Sequence, residues 1–172
     1  MGSMSIALLL LAADGGVAAA PKISSKNWEH HPRVEASRAV FTEVRAALDA
    51  GTLTTRKTVD CTQEFSELTL ATDAQSVVRY LLRDFGGSDS SHRVEAFYDA
   101  KGTLRFVFVR VGAVPSAWVE ARYWLDEAGQ LVWKARATGG EGPTYYANDP
   151  TEYLVKTPLA FFEKRVRCPT PR

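Results

Sequence analysis

Cysteine, histidine and methionine are scarce in this chain, with two, three and two among 172 residues. A structural zinc site needs three or four convergent Cys or His ligands. The histidines here are His30-His31 and a separate His92, so no metal-binding pattern is present. Charge of one sign is also lacking. Lys and Arg total 21 against 20 Asp and Glu, a net charge of +1. That leaves no strong field to steer nucleic acid or an anionic membrane. The basic residues are dispersed, and no DNA- or RNA-binding motif occurs. Long apolar runs are missing too. Ile6–Ala13 is too short to span a bilayer. Gly139-Gly-Glu-Gly142 has no following Lys-Ser/Thr, which excludes a phosphate-cradling loop. Hydrophobic residues make up 45% and charged residues 24%, enough for one domain with a sizeable core.

The strongest positive feature is a repeated turn. Asp73-Ala-Gln-Ser76-Val-Val78, Asp99-Ala-Lys-Gly102-Thr-Leu104 and Asp126-Glu-Ala-Gly129-Gln-Leu131 align without gaps, their Asp residues 26 and 27 positions apart. An Asp carboxylate accepts a backbone N–H two residues on and closes the turn. A following Gly supplies the left-handed conformation that longer hairpin loops use. Ser76 departs from the pattern, which leaves the first hairpin the weakest of the three. Short β-branched and aromatic runs flank each turn: Glu67–Ala71, Val94–Tyr98 and Val119–Leu125 before, Val77–Arg83, Leu104–Val111 and Leu131–Ala137 after. This predicts successive hairpins of one antiparallel meander. Residues 73–85 also fit a helix opened by the capping box Thr72-Asp-Ala-Gln75 and ended by Gly86-Gly87; the repeat favours strand.

Pro32 to Leu48 is predicted to be a helix, with Pro at its first position and Gly51 just past its end. Val34, Val40, Phe41, Val44, Ala47 and Leu48 form its apolar stripe, and Glu35, Arg38, Glu43 and Arg45 lie largely opposite. Thr52–Cys61 reads as an alternating strand and Leu159–Cys168 as a last strand. The fold class is therefore α+β, an N-terminal helix packed on a twisted antiparallel meander. Such sheets can keep one face wet, and a curved one with a helix across it makes a groove.

Met1-Gly-Ser-Met4 reads as a tag remnant ahead of a second start. Ile6–Ala13 followed by Val17-Ala-Ala-Ala20 has the apolar core and small-residue cleavage pattern of a secretory signal peptide, though without a positive n-region. The alternative is a disordered Ala/Gly-rich arm. Residues 1–20 are thus set apart from a single domain over 21–172, and the expected location is periplasmic or secreted. In an exported chain Cys61 and Cys168 pair most simply as a disulfide; the alternative is two buried thiols. The hairpins resemble those of small exported bacterial proteins with repeated Tyr-Asp-x-x-Gly-x-Leu turns, here Phe97-Tyr-Asp-Ala-Lys-Gly-Thr-Leu-Arg-Phe-Val-Phe108. The resemblance covers residues 65–138 at most and implies no activity.

No catalytic constellation emerges. Asp89, Ser90, Ser91 and His92 supply triad residue types, but near neighbours on one short loop seldom converge. Asp126-Glu127 sits at a solvent-facing turn, and Asp149 with Glu152 lies in a loop. The best binding candidates are Trp118, Arg122, Trp124, Tyr145, Tyr146 and Tyr153, with Trp133 nearby. Trp and Tyr combine large contact area with a polar handle. Trp118, Glu120, Arg122 and Trp124 share one strand face, opposite the more core-like Val119, Ala121, Tyr123 and Leu125. The reading is a non-catalytic exported binding module for an unknown protein or small molecule, needing no cofactor. The alternative is a small extracytoplasmic enzyme with a site under the 139–158 loop. A third possibility is an inhibitor or accessory subunit that presents the sheet face to another protein.

Overall fold

The computed structural model describes residues 21–60, 66–146 and 150–166. Its frame is one seven-stranded sheet in sequence order. The strands are β1 (Thr54–Val59), β2 (Glu67–Thr72), β3 (Val78–Gly86), β4 (Ser90–Tyr98), β5 (Leu104–Ala113), β6 (Ala117–Leu125) and β7 (Leu131–Gly139). Every neighbouring pair is antiparallel. Helix α1 (Pro32–Asp49) covers one face, and the shorter α2 (Pro158–Val166) packs on the other. The predicted α+β meander with an N-terminal helix is what the chain forms, and 73–85 resolves as a turn leading into strand.

The three Asp turns join β2–β3, β4–β5 and β6–β7 at one end of the sheet. Each carboxylate works as the turn chemistry requires. Asp99 Oδ1 accepts the N–H groups of Lys101 and Thr103 at 2.9 and 3.0 Å, and Asp73 and Asp126 repeat the pattern. Gly102 and Gly129 have φ of +79° and +69°, and Ser76 adopts +63° in the first copy. The first hairpin therefore closes despite its missing glycine. A register shift follows each turn, between Ala71 and Thr72, Phe97 and Tyr98, and Trp124 and Leu125 on the partner strand. The extra residue is Arg79, Arg105 and Val132 in turn, six positions after each Asp.

Helix α1 crosses the strands near this turn end. Arg33 pairs with Asp126, Ser37 Oγ donates to the Arg105 carbonyl at 2.6 Å, and Glu43 meets Arg79 at 2.6 Å. Val34, Val40 and Val44 are buried against Ala71, Tyr80, Leu82, Phe97, Phe106 and Trp124. The opposite face buries Leu68, Leu81, Val94, Val107, Val119 and Leu125 beneath Tyr153 and Phe162. Burying one such aromatic contributes roughly 1.5–3 kcal/mol.

One predicted element is corrected. Leu159–Cys168 is not a strand: Pro158–Val166 is helical. Pro158 occupies the first helical position, and the Phe161 N–H bonds to the Thr157 carbonyl at 3.0 Å. Pro158, Phe161, Phe162 and Arg165 recur at helical spacing on the covered side, while Leu159, Ala160 and Lys164 are exposed. Cys61 and Cys168 lie outside the described residues, as do residues 1–20.

Candidate functional site: a groove between α1 and the sheet

Because α1 lies toward the turn end, part of the same sheet face remains uncovered. Strand alternation sends Arg93 and Glu95 of β4, Phe106, Phe108 and Arg110 of β5, and Trp118, Glu120, Arg122 and Trp124 of β6 to this face. Register sets Glu95 beside Phe108, Phe108 beside Arg122, and Phe106 beside Trp124. Where the helix meets this surface there is a cavity of about 450 Å³. Arg38, Phe41, Thr42 and Arg45 form its helix wall. Their spacing of three, four and seven places them along one side of α1. Glu95, Phe106, Phe108, Arg122 and Trp124 form its floor. A second opening of about 420 Å³ lies further out on the same face beside Arg110, Trp118 and Glu120.

The groove combines guanidinium groups with aromatic rings. Arg38 stands over Trp28 and Trp124 at 5.4 and 5.9 Å, Arg45 over Phe97 at 5.2 Å, and Arg122 over Phe108 at 5.1 Å. Trp28 stacks in turn on Trp133 at 5.8 Å. Such stacking fixes a long side chain while leaving N–H groups for other partners.

One buried carboxylate organises the charges. Glu95 Oε2 accepts from Tyr80 Oη at 2.7 Å and Arg45 Nη2 at 2.6 Å, and Oε1 meets Arg93 Nε at 3.4 Å. Burial pushes this carboxyl up, but the bonds from Tyr80 and Arg45 and the charges of Arg45 and Arg93 outweigh it and hold it below its ordinary range. Burial, with the Glu95 charge beside it, raises the Tyr80 phenol well above its usual range. Arg122 shares Glu120 with Arg110, at 3.1 and 2.9 Å. Arg38 donates to the Glu29 carbonyl and has no carboxylate partner among the described residues. Trp124 is 3% exposed, and its buried indole Nε1 has no hydrogen-bond partner among the described residues.

The six sequence candidates divide between the faces. Arg122 and Trp124 line the groove, and Trp118 lies further out on the same face, 41% exposed. A Cβ at Gly139 would meet the Trp118 indole at 2.8 Å, so glycine there lets the ring lie across β7. Tyr146 and Tyr153 belong to the other face, stacked at 5.5 Å, with Tyr146 bonded to Tyr123 through their hydroxyls. Tyr145 is exposed and donates to Asp89 at 2.8 Å. The described part of the 139–158 loop thus continues the opposite core: Tyr98 Oη donates to the Val155 carbonyl at 2.7 Å.

The remaining candidates have structural places. His31 caps α1, its Nδ1 accepting the Arg33 N–H and its Nε2 bonding the Pro21 carbonyl. Ser91 and His92 alternate across β4, and His92 stacks on Phe85 at 4.8 Å, so the triad residue types do not converge. Asp149 lies outside the described residues, and Glu152 offers its carbonyl to Arg83 at 3.3 Å. Among the described residues no group of three His, Cys, Asp or Glu is placed to hold a metal ion, and no helix is long and apolar enough to cross a membrane.

Sequence reasoning missed the helix wall and Glu95. It assigned Arg38 and Arg45 to the solvent side of α1, whereas both flank the groove. The available signal was the Arg38-Phe41-Thr42-Arg45 stripe, which borders the apolar stripe. The chain matches no protein-family model, no curated protein and no solved structure.

Proposed function

We propose that the protein is a non-catalytic binding module whose ligand site is the groove between α1 and strands β4–β6. The observation that carries this reading is the groove's composition: three arginines and one carboxylate around four aromatic rings. Ligand sites are typically cavities of this order of size, mostly apolar, with a few polar groups that fix orientation. Glu95, the one carboxylate there, is held ionised by three donors, which suits an organising role rather than proton transfer.

The proposal includes export to the periplasm or exterior, which the signal-like N-terminal pattern supports, and with it a Cys61–Cys168 disulfide. Asp60, next to Cys61, meets Arg165, three residues before Cys168, with Arg165 Nε 3.1 Å from the buried Asp60 Oδ2. A metabolite-library thermal-shift screen tests the binding reading, with hits mapped by Arg38→Gln and Trp124→Phe variants that retain the parent melt. Hits weakened by both variants support the groove. Hits indifferent to both move the site elsewhere, and turnover of a substrate that depends on Glu152 replaces the reading with an enzyme.

A further inference from the structure

Resting on the groove as the binding site, we infer that its ligand is a small organic anion: a carboxylate or similar acidic head on a flat, apolar body. The head is set by the hydrogen-bonding character of the free groups. Among the described residues Arg38 has only a carbonyl as hydrogen-bond partner, and Arg122 shares Glu120 with Arg110. Arg38 lies over the Trp124 ring, and Arg122 is two residues from Trp124 on the same strand face. Both guanidinium groups are donors without acceptor capacity. The acceptor among the groove's charged groups, Glu95, is already taken by Tyr80, Arg45 and Arg93. A cationic head would meet three guanidinium groups and compete for an occupied carboxylate. A hydroxyl-rich ligand such as a sugar needs several acceptors, and beside the engaged Glu95 the groove's side chains offer only the Thr42 hydroxyl. A carboxylate brings acceptors only, and two oxygens match the fork of an arginine.

The body is set by the floor. Phe41, Phe106 and Phe108 line the groove beside Trp124. Phe41 and Phe106 meet edge to face at 5.1 Å, and Phe106 and Trp124 lie 5.6 Å apart. Rings so arranged accept another flat apolar group by offset or edge contact. An acidic head between Arg38 and Arg122 would leave that body over Phe106 and Phe108, next to the Trp124 ring.

Three probes of one shape test the charge requirement on the intact protein: naphthoate, naphthamide and naphthylmethylamine. Binding is followed by calorimetry and by the indole N–H resonances in heteronuclear NMR, assigned with Trp→Phe variants. The expected result is a Trp124 N–H shift with naphthoate. Naphthamide should bind weaker by about tenfold or more, as loss of a charged hydrogen-bond partner predicts, and the amine should not bind. Arg38→Gln and Arg122→Gln should each weaken naphthoate by a similar factor. Arg38→Lys, which keeps the charge without the fork, should recover part of the loss. Equal binding of naphthoate and naphthamide at Trp124 overturns the anion inference while leaving the groove as the site. If no probe moves the Trp124 resonance, the inference falls, and the groove reading then stands or falls on the library hits mapped with Arg38→Gln and Trp124→Phe.

Discussion

Arg105 is tied to Asp99, six residues earlier, through Nη1 and Oδ2 at 3.3 Å, and its Nε donates to the Leu125 carbonyl at 3.3 Å. Arg79 repeats this one hairpin earlier, with Asp73 at 3.5 Å and the Tyr98 carbonyl at 3.2 Å. Each arginine is the extra residue at a register shift, and each reaches the residue just before the next turn aspartate. The repeat is therefore more than a turn: it is an Asp–Arg pair that fastens each hairpin to the next. In the third copy Val132 stands in that position, and Asp126 pairs with Arg33 of α1 instead. The end of the meander is thereby docked to the helix.

Arg105→Ala should cost about 2–3 kcal/mol, because it removes charged hydrogen bonds and strands the Leu125 carbonyl in a buried position. Arg79→Ala should behave alike, with Glu43 losing its partner as well. Denaturant unfolding of both variants measures the loss. A change below about 0.5 kcal/mol, the range of ordinary surface substitutions, would show that these arginines do not fasten the hairpins.

The three turns also predict effects of opposite sign. Gly102→Ala and Gly129→Ala should each destabilise by roughly 1 kcal/mol or more, since both glycines have positive φ. Space is not the cause: the nearest atoms to an added Cβ are 3.5 and 3.4 Å away. Ser76→Gly should stabilise by up to about 1 kcal/mol, because Ser76 already carries the left-handed strain. Three melts decide it. A destabilised Ser76→Gly would mean that the serine side chain offsets the strain.

The hairpins were legible because turn chemistry is local: Asp99 and Gly102 act within five residues. Helix α1 was legible from Pro32, Gly51 and the valine stripe. The last helix was misread, although Pro158 gives the same start signal as Pro32. Its apolar run Leu159-Ala-Phe-Phe162 looks like strand until the consecutive Glu163-Lys164-Arg165 breaks alternation. The groove was half legible. Alternation put Arg122 and Trp124 on one face, but which sheet face α1 covers, and how far along, depends on Ser37 meeting Arg105 and Glu43 meeting Arg79. Those are non-local contacts that no periodicity announces. Tyr146 and Tyr153 were grouped with the tryptophans for the same reason, since sequence does not say that the chain passes behind the sheet after Gly142.

His92 should make stability fall on mild acidification. Burial, and then the charge of Arg83, hold its imidazole below the ordinary 6.5. Below that value the unfolded chain takes up a proton before the folded one does, so stability declines as pH drops through about 6.5. Glu95 acts lower. Its carboxyl is held below 4.5, so its contribution is complete above that pH and is lost as pH falls beneath it. His92→Phe keeps a ring against Phe85 and removes the titration. Between about pH 7.5 and 5.5 its melting temperature should fall less than that of the parent. Parallel curves would exclude His92 as the source.

The cysteines offer a direct test of the proposed disulfide. Asp60 is buried and paired with Arg165. Cys61 follows Asp60 directly, and Cys168 is three residues past Arg165, at most about 11 Å of extended chain. Bonding needs Cα atoms about 4.4–6.8 Å apart, a separation that this tether readily permits. The protein recovered from an oxidising compartment should therefore resist thiol alkylation until it is reduced, with an intact mass lower by two hydrogens. Closing so long a loop stabilises by about 4–5 kcal/mol on the chain-entropy view. Cys61→Ser and Cys168→Ser should each lower the melting temperature, and the double variant should lose no more than either single one, because one bond is lost in every case. Two thiols that alkylate freely in the native, unreduced protein would defeat the disulfide, and additive losses in the double variant would show two separate packing roles instead.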